Sequence, residues 1–178
     1  MPGAPDRPRL SLLDPERDRG LLADLRRYAE VAGVDPGHVE LGMDRFGCTS
    51  AEVAWAGRLL RARRGGRRQP AGLKYVERAG DVDARMRGLA GTLVRNYVDA
   101  RVVDLERVLG DDRPQCSVLL VPQCLDGLPA WRLDALAGAL QGPLGRGRSV
   151  ALWVAAPPTA AKLGTALHAV LRRLEPAS

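Results

Sequence analysis

The chain has 178 residues, 46% of them hydrophobic, enough apolar material for a packed core and too much for a disordered chain. Its 27 Lys and Arg exceed its 21 Asp and Glu, giving a net charge of +6, with lysine only at Lys74 and Lys162. That charge suits nucleic acid or an acidic protein partner and chooses neither, and a GC-rich genome accounts equally for arginine in place of lysine.

Aromatic residues are only 4% of the chain, which predicts an aliphatic core and argues against an aromatic base-stacking platform. No apolar run approaches the roughly 20 residues of a membrane-spanning helix, so no membrane partner is expected. The start MPGAPDRPRL lacks an apolar signal core, which predicts a cytoplasmic protein. Cys48, Cys116 and Cys124 form no C-x-x-C pair, and His38 and His168 are the only histidines. Disulfides, a metal site and a cofactor are therefore not expected.

Residues 1–15 hold four prolines and read as a loose arm. From Glu16 to Ala32, Leu21, Leu22, Leu25, Tyr28, Ala29 and Ala32 recur at helical spacing, and Gly33 ends the run. A short helical piece follows, from about His38 to Arg45. Thr49-Ser50-Ala51-Glu52 is a capping box that opens a helix to about Arg64, with Val53, Ala56, Leu59 and Leu60 as its apolar side. The segment 65–72, within the arginine-rich stretch RARRGGRRQPAG, reads as a basic linker. Beyond it, 73–178 is predicted to be an α/β domain, and 16–64 a helical part.

In that second part LKYVE is a short strand candidate, and a helical stripe runs from Val82 through Met86, Leu89, Leu93, Tyr97 and Val98 to about Asp99. Arg101–Val103 predicts a brief strand, and Leu105–Leu109 a short helix stopped by Gly110. Cys116–Pro122 and Ser149–Ala156 are continuous apolar runs suited to buried strands. Between them, a helix starts near Pro129 and ends near Gln141. After Pro157-Pro158 a last helix carries Leu163, Leu167, Val170, Leu171 and Leu174 in register. Strand, helix, strand, helix is the order of a parallel βαβα unit, so the fold class is α/β with a helical N-terminal part.

GPLGRGRS, Gly142–Ser149, has the G-x-x-x-x-G spacing of a phosphate loop, with Arg148 where lysine normally stands. A phosphate loop needs a strand before it and a helix directly after it, so that backbone N–H groups and the helix dipole converge on the anion. Here the order is reversed, which makes the motif a connection with solvated arginines. Residues 38–64 have the outline of a helix-turn-helix, with Gly47 in the turn, Met43 at the tight contact and Val53 packing on the preceding helix. In that reading Arg58, Arg61, Arg63, Arg64, Arg67 and Arg68 contact phosphates. No catalytic constellation emerges: Ser117, Cys116 and Cys124 have no histidine near in sequence, and Asp111-Asp112 reads as a solvated turn. Trp153 reads as core, whereas Trp131 at the start of a helix is the candidate partner-binding residue.

The succession VLLVPQCL, PAWRLDALAGALQGPLGRGRS, VALWVAA and KLGTALHAVLRRL resembles the second half of bacterial helicase-loader and transposase-helper AAA+ ATPases, over about 70 residues. That resemblance implies an apolar strand ending in a magnesium-binding acidic pair, then a helix with an arginine-containing turn, then a strand tipped by a polar sensor. This chain has Pro122 and Gln123 in place of the acidic pair, and Ala155 and Ala156 in place of the sensor. The resemblance therefore implies an ATPase-like fold without ATP chemistry, kept as a binding scaffold. The expectation is a non-enzymatic accessory subunit of a nucleic-acid-handling complex, with DNA or RNA and a protein as partners. The alternative is a protein-interaction module without nucleic-acid contact.

Overall fold

Strands β1 (Gly72–Val76), β2 (Ala100–Val102), β3 (Val118–Cys124), β4 (Ser149–Val154) and β5 (Glu175–Pro176) form one all-parallel sheet in the order β2-β3-β4-β1-β5. The structure is a computed structural model that describes residues 19–78 and 80–177. The predicted arm, 1–15, lies outside the described residues. The α/β class and the βαβα order predicted from the apolar runs are present, with β5 as an unforeseen two-residue edge strand.

Parallel strands need crossovers, and right-handed crossovers place each connecting helix according to the direction of travel. From β1 the chain moves across β4 and β3 to β2, so α4 (Val82–Arg95) covers one face. From β2 through β3 and β4 to β5 it travels back, so α5 (Leu105–Leu109), α6 (Ala130–Gly145), α7 (Ala160–Leu163) and α8 (Thr165–Arg172) cover the other. Two hydrophobic clusters follow from this. Leu120 and Ala151 point to the α4 face, and Leu119, Val150 and Leu152 to the α6/α8 face, as the period of two along a strand requires.

The helices before the sheet pack on the α4 face. These are α1 (Arg19–Ala32), α2 (Pro36–Glu40), a 3-10 turn (Met43–Phe46) and α3 (Ser50–Arg64). Leu25, Ala29, Trp55 and Leu59 share one core with Met86, Leu89, Leu93 and Tyr75. Gly88 and Gly91 make this approach close: a Cβ on Gly91 would meet the His38 carbonyl oxygen at 2.0 Å, and one on Gly88 would meet Phe46 at 2.6 Å.

Several side chains face away from where periodicity placed them. On α1, Leu25, Ala29 and Ala32 are buried, but Tyr28 is exposed. On α3 the buried side is Glu52, Trp55, Ala56 and Leu59, and Val53 faces solvent. Thus Val53 does not pack on a preceding helix, and what precedes Gly47 is a 3-10 turn of four residues. Met43 is buried in the core, but at the start of the 3-10 turn and not at a contact between two helices of a helix-turn-helix. The stripe after Asp81 stops at Arg95, and Tyr97 is exposed. α6 runs four residues past Gln141, through Pro143, because Leu144 in the last turn reaches the core. The predicted last helix is broken at Gly164 (φ +75°) into α7 and α8.

One polar network ties the layers together. The capping box of α3 forms as predicted: Glu52 N donates to Thr49 Oγ1 (3.3 Å), and Thr49 N donates to Glu52 Oε2 (2.6 Å). The same Glu52 carboxylate, 0% exposed, accepts from Tyr75 Oη on β1 (2.6 Å) and from Arg85 Nε on α4 (3.0 Å). Arg85 extends to Glu77 (2.5 Å) and to the Ala177 carbonyl (3.2 Å), which also accepts from the Thr49 hydroxyl. A buried carboxylate is tolerated here because all its partners are charged or strong donors.

Candidate nucleic-acid interface

In a parallel sheet, ligands commonly sit at the carboxyl ends of the strands, where neighbouring connections leave on opposite faces. Here that point lies between β1 and β4, and several acceptors near it are already engaged within the protein. Glu77, directly after β1, places one carboxylate oxygen on Arg85 and the other within 2.8 Å of where a Cβ on Gly80 would stand. Asp81 caps α4 by accepting from Ala84 N (3.3 Å). After β3, Asp126 accepts from Ala155 N (2.6 Å), the donor at the tip of β4. Cys124 Sγ lies 3.7 Å from Asp126, and Gln123 accepts from Leu105 N at the start of α5. Glu77 and Asp126 thus take up, from within the protein, donors at the carboxyl ends of β1 and β4. Neither was singled out from the sequence, since an isolated Glu or Asp after a strand carries no spacing signal.

The amino ends of the strands have the opposite character. The end of α3 and the connection 65–71 deliver Arg63, Arg64, Arg67 and Arg68 there, all exposed. Arg63 donates to Ser117 Oγ (2.8 Å) just before β3, and Ser117 O accepts from Ser149 N (3.0 Å) at the start of β4. Ser149 in turn donates from Oγ to the Pro70 carbonyl (2.6 Å). These bonds bring the arginine connection against the turn after α6, where Arg146 is exposed and Arg148 donates to Gln115 Oε1 (2.7 Å). Arg173, beyond α8, completes the cluster: with Arg68 and Arg148 it lines one cleft of about 370 Å³ that also contains Gln69 and Gly147. Arg172 beside it is exposed.

GPLGRGRS therefore stands at the amino end of β4, its first four residues form the last turn of α6, and no helix follows it. Its arginines belong to a surface shared with the 61–68 segment and Arg172-Arg173. Of the six arginines singled out from the sequence, Arg63, Arg64, Arg67 and Arg68 fall at this pole. Arg61 is exposed one turn earlier on α3, and Arg58 is neutralised by an ion pair with Glu175. Two acidic groups toward this end are paired, Glu175 with Arg58 and Asp99, toward β2, with Arg101 (3.1 Å), and the exposed Asp111 and Asp112 stand in the connection that enters β3. Arg146, Arg148, Arg172 and Arg173 were missed because single and paired arginines scattered over separate turns look like solvated surface.

Trp131 at the start of α6 is 68% exposed, with the Arg132 guanidinium 5.7 Å from its ring centre and Arg132 paired to Glu106 on α5. It lies at the opposite end of α6 from Arg146. Trp153 is partly buried on the core and donates to the Glu77 carbonyl (2.8 Å). Among the described residues no three His, Cys, Asp or Glu side chains cluster as a metal site, and no helix is long and apolar enough to cross a membrane. The thiols sit in surroundings that hold them protonated. Burial, then Glu52, pushes Cys48 up to about 12, and burial, then Asp99, pushes Cys116 up to about 11. Comparison with known protein families, curated proteins and solved structures finds no match to this chain.

Proposed function

We propose that this protein is a non-enzymatic accessory subunit that grips the phosphate backbone of nucleic acid with the amino-end pole of its sheet. The observation that carries this is the convergence of Arg63, Arg64, Arg67 and Arg68 with Arg146, Arg148, Arg172 and Arg173, from three distant chain segments, on one face. Guanidinium groups in such a cluster neutralise phosphates and release counterions, a contact without sequence preference. At the opposite pole the carboxylates of Glu77, Asp81 and Asp126 already accept from Arg85, Ala84 N and Ala155 N, and the phosphate-loop pattern is followed by a strand, with no helix N-terminus to receive a phosphate. This agrees with the scaffold reading of the helicase-loader resemblance. The exposed Trp131 is the docking residue for a protein partner.

The test is binding of the purified protein to labelled oligonucleotides across a salt series, with ATP binding measured alongside. If half of the pole arginines reach phosphates, log K falls with log[salt] with a slope of about −3 to −4. Binding that ignores salt, or no binding at low salt, overturns the proposal. ATP binding would show that nucleotide chemistry persists. A second reading, a protein-interaction module with a basic surface, is favoured by Trp131 alone, and predicts a stable protein complex with no oligonucleotide affinity.

A further inference from the structure

Beside the arginine pole, at the β2 edge, lies an open groove of about 560 Å³ between α1 and the turn from α4 into β2. Its walls carry Tyr28 (54% exposed) and Tyr97 (64% exposed), with Val31 also exposed and Arg27 and Arg101 alongside. Tyr97 is the only described non-glycine residue with a left-handed backbone, φ +57°. It sits just past the end of α4, where Val98 N bonds back to Leu93 O (2.9 Å) and Tyr97 N to Val94 O (2.8 Å). That closure demands positive φ and normally takes glycine or asparagine. At 64% exposure the tyrosine gains little burial in exchange. Strain retained at an exposed aromatic residue points to use of the ring.

The groove is continuous with the pole. Asp99, in its wall, accepts through its carbonyl from Ser117 N (2.8 Å), and Ser117 is the residue that Arg63 holds. Through Ser117 and Asp99 the arginines of the pole adjoin a groove that carries two exposed phenol rings, with Arg27 and the Asp99-paired Arg101 beside them. Asp24 and Asp99 also line the groove, and Asp99 is compensated by Arg101. Bases in a duplex have no free faces, whereas those of a single strand do.

Although so few aromatic residues argued against a stacking platform, two of the three tyrosines stand exposed in one groove. Resting on the backbone-binding reading, we infer that Tyr28 and Tyr97 stack unpaired bases, so that the ligand is single-stranded nucleic acid running from the arginine pole into the groove. A protein segment is the competing occupant. The charge of the adjoining pole favours the polyanion.

The experiment compares the full chain with Tyr97→Gly, Tyr97→Phe and Tyr28→Ala, binding a labelled oligothymidylate and a mixed-sequence duplex of equal length at the same salt. Tyr97→Gly suits the backbone, so loss of fold does not confuse the result. The expected outcome is tighter binding of the single strand, weakened about tenfold by Tyr97→Gly and by Tyr28→Ala and retained in Tyr97→Phe, with duplex binding unchanged. Equal binding of strand and duplex with neutral tyrosine variants overturns the stacking proposal and leaves the arginine pole standing. No oligonucleotide binding at low salt overturns both. Loss of self-association in Tyr97→Gly without any change in oligonucleotide binding makes the groove a contact between copies of this chain and also overturns the proposal.

Discussion

Replacing Arg68, Arg148 and Arg173 together by alanine tests whether the basic pole acts as one surface. The three come from the connection before β1, the turn before β4 and the end of α8, and they meet only in the folded protein, around one cleft. Each phosphate contact removed lowers the salt slope by about 0.7 on a single strand and about 0.9 on a duplex. At near-physiological salt this is about 0.8–1 kcal/mol per arginine, so the triple variant loses about 2–3 kcal/mol, or about 30- to 150-fold in affinity. The assay is fluorescence anisotropy from low to moderate salt, with circular dichroism to establish that the fold is intact. A matched control replaces Arg45, Arg78 and Arg107, exposed residues away from the pole, and makes the same change in net charge. If the control loses as much affinity and slope as the pole variant, only net charge matters, and the localised surface is refuted.

Glu52→Ala leaves the Tyr75 hydroxyl without its acceptor, takes from Arg85 one of its two carboxylate partners and removes half of the α3 capping box, for about 2–4 kcal/mol and a fall in Tm of about 10 °C. In a double-mutant cycle of Glu52→Leu, Arg85→Met and the two together, the double variant loses less than the sum of the singles, whereas strict additivity would show that the pair is not coupled. Tyr97→Gly relieves the left-handed strain and raises stability by about 1 kcal/mol in urea unfolding, and a loss of stability would mean that the ring packs. Stability at alkaline pH follows from Cys48 and Cys116, whose folded pKa values lie above those of unfolded thiols. Their contribution is full below about pH 8.5 and is lost as pH rises toward 11–12, because the unfolded chain releases those protons first. The urea midpoint should therefore drop between pH 8 and pH 10.5, less so in a Cys48→Ala/Cys116→Ala variant, and an equal drop in that variant would assign the effect elsewhere.

Local signals determined much of this protein before any contact was known. The capping box at Thr49, the short helix Leu105–Leu109 with its glycine stop, and the apolar runs before Pro122 and after Arg148 appear in the fold because each depends on neighbouring residues alone. The reversed order around GPLGRGRS was equally readable, since a phosphate loop is defined by what adjoins it. Tertiary structure decided which face of each helix is buried. Tyr28, Val53 and Tyr97 keep helical spacing with core residues, yet α1, α3 and the end of α4 turn them outward, because packing on the sheet uses a stripe narrower than the apolar pattern. It also extended α6 beyond Pro143, where burial of Leu144 offsets the missing hydrogen bond. Above all it assembled the basic pole. Residues 63–68, 146–148 and 172–173 are far apart along the chain, and parallel strands alone bring them together, because every strand starts from the same end of the sheet.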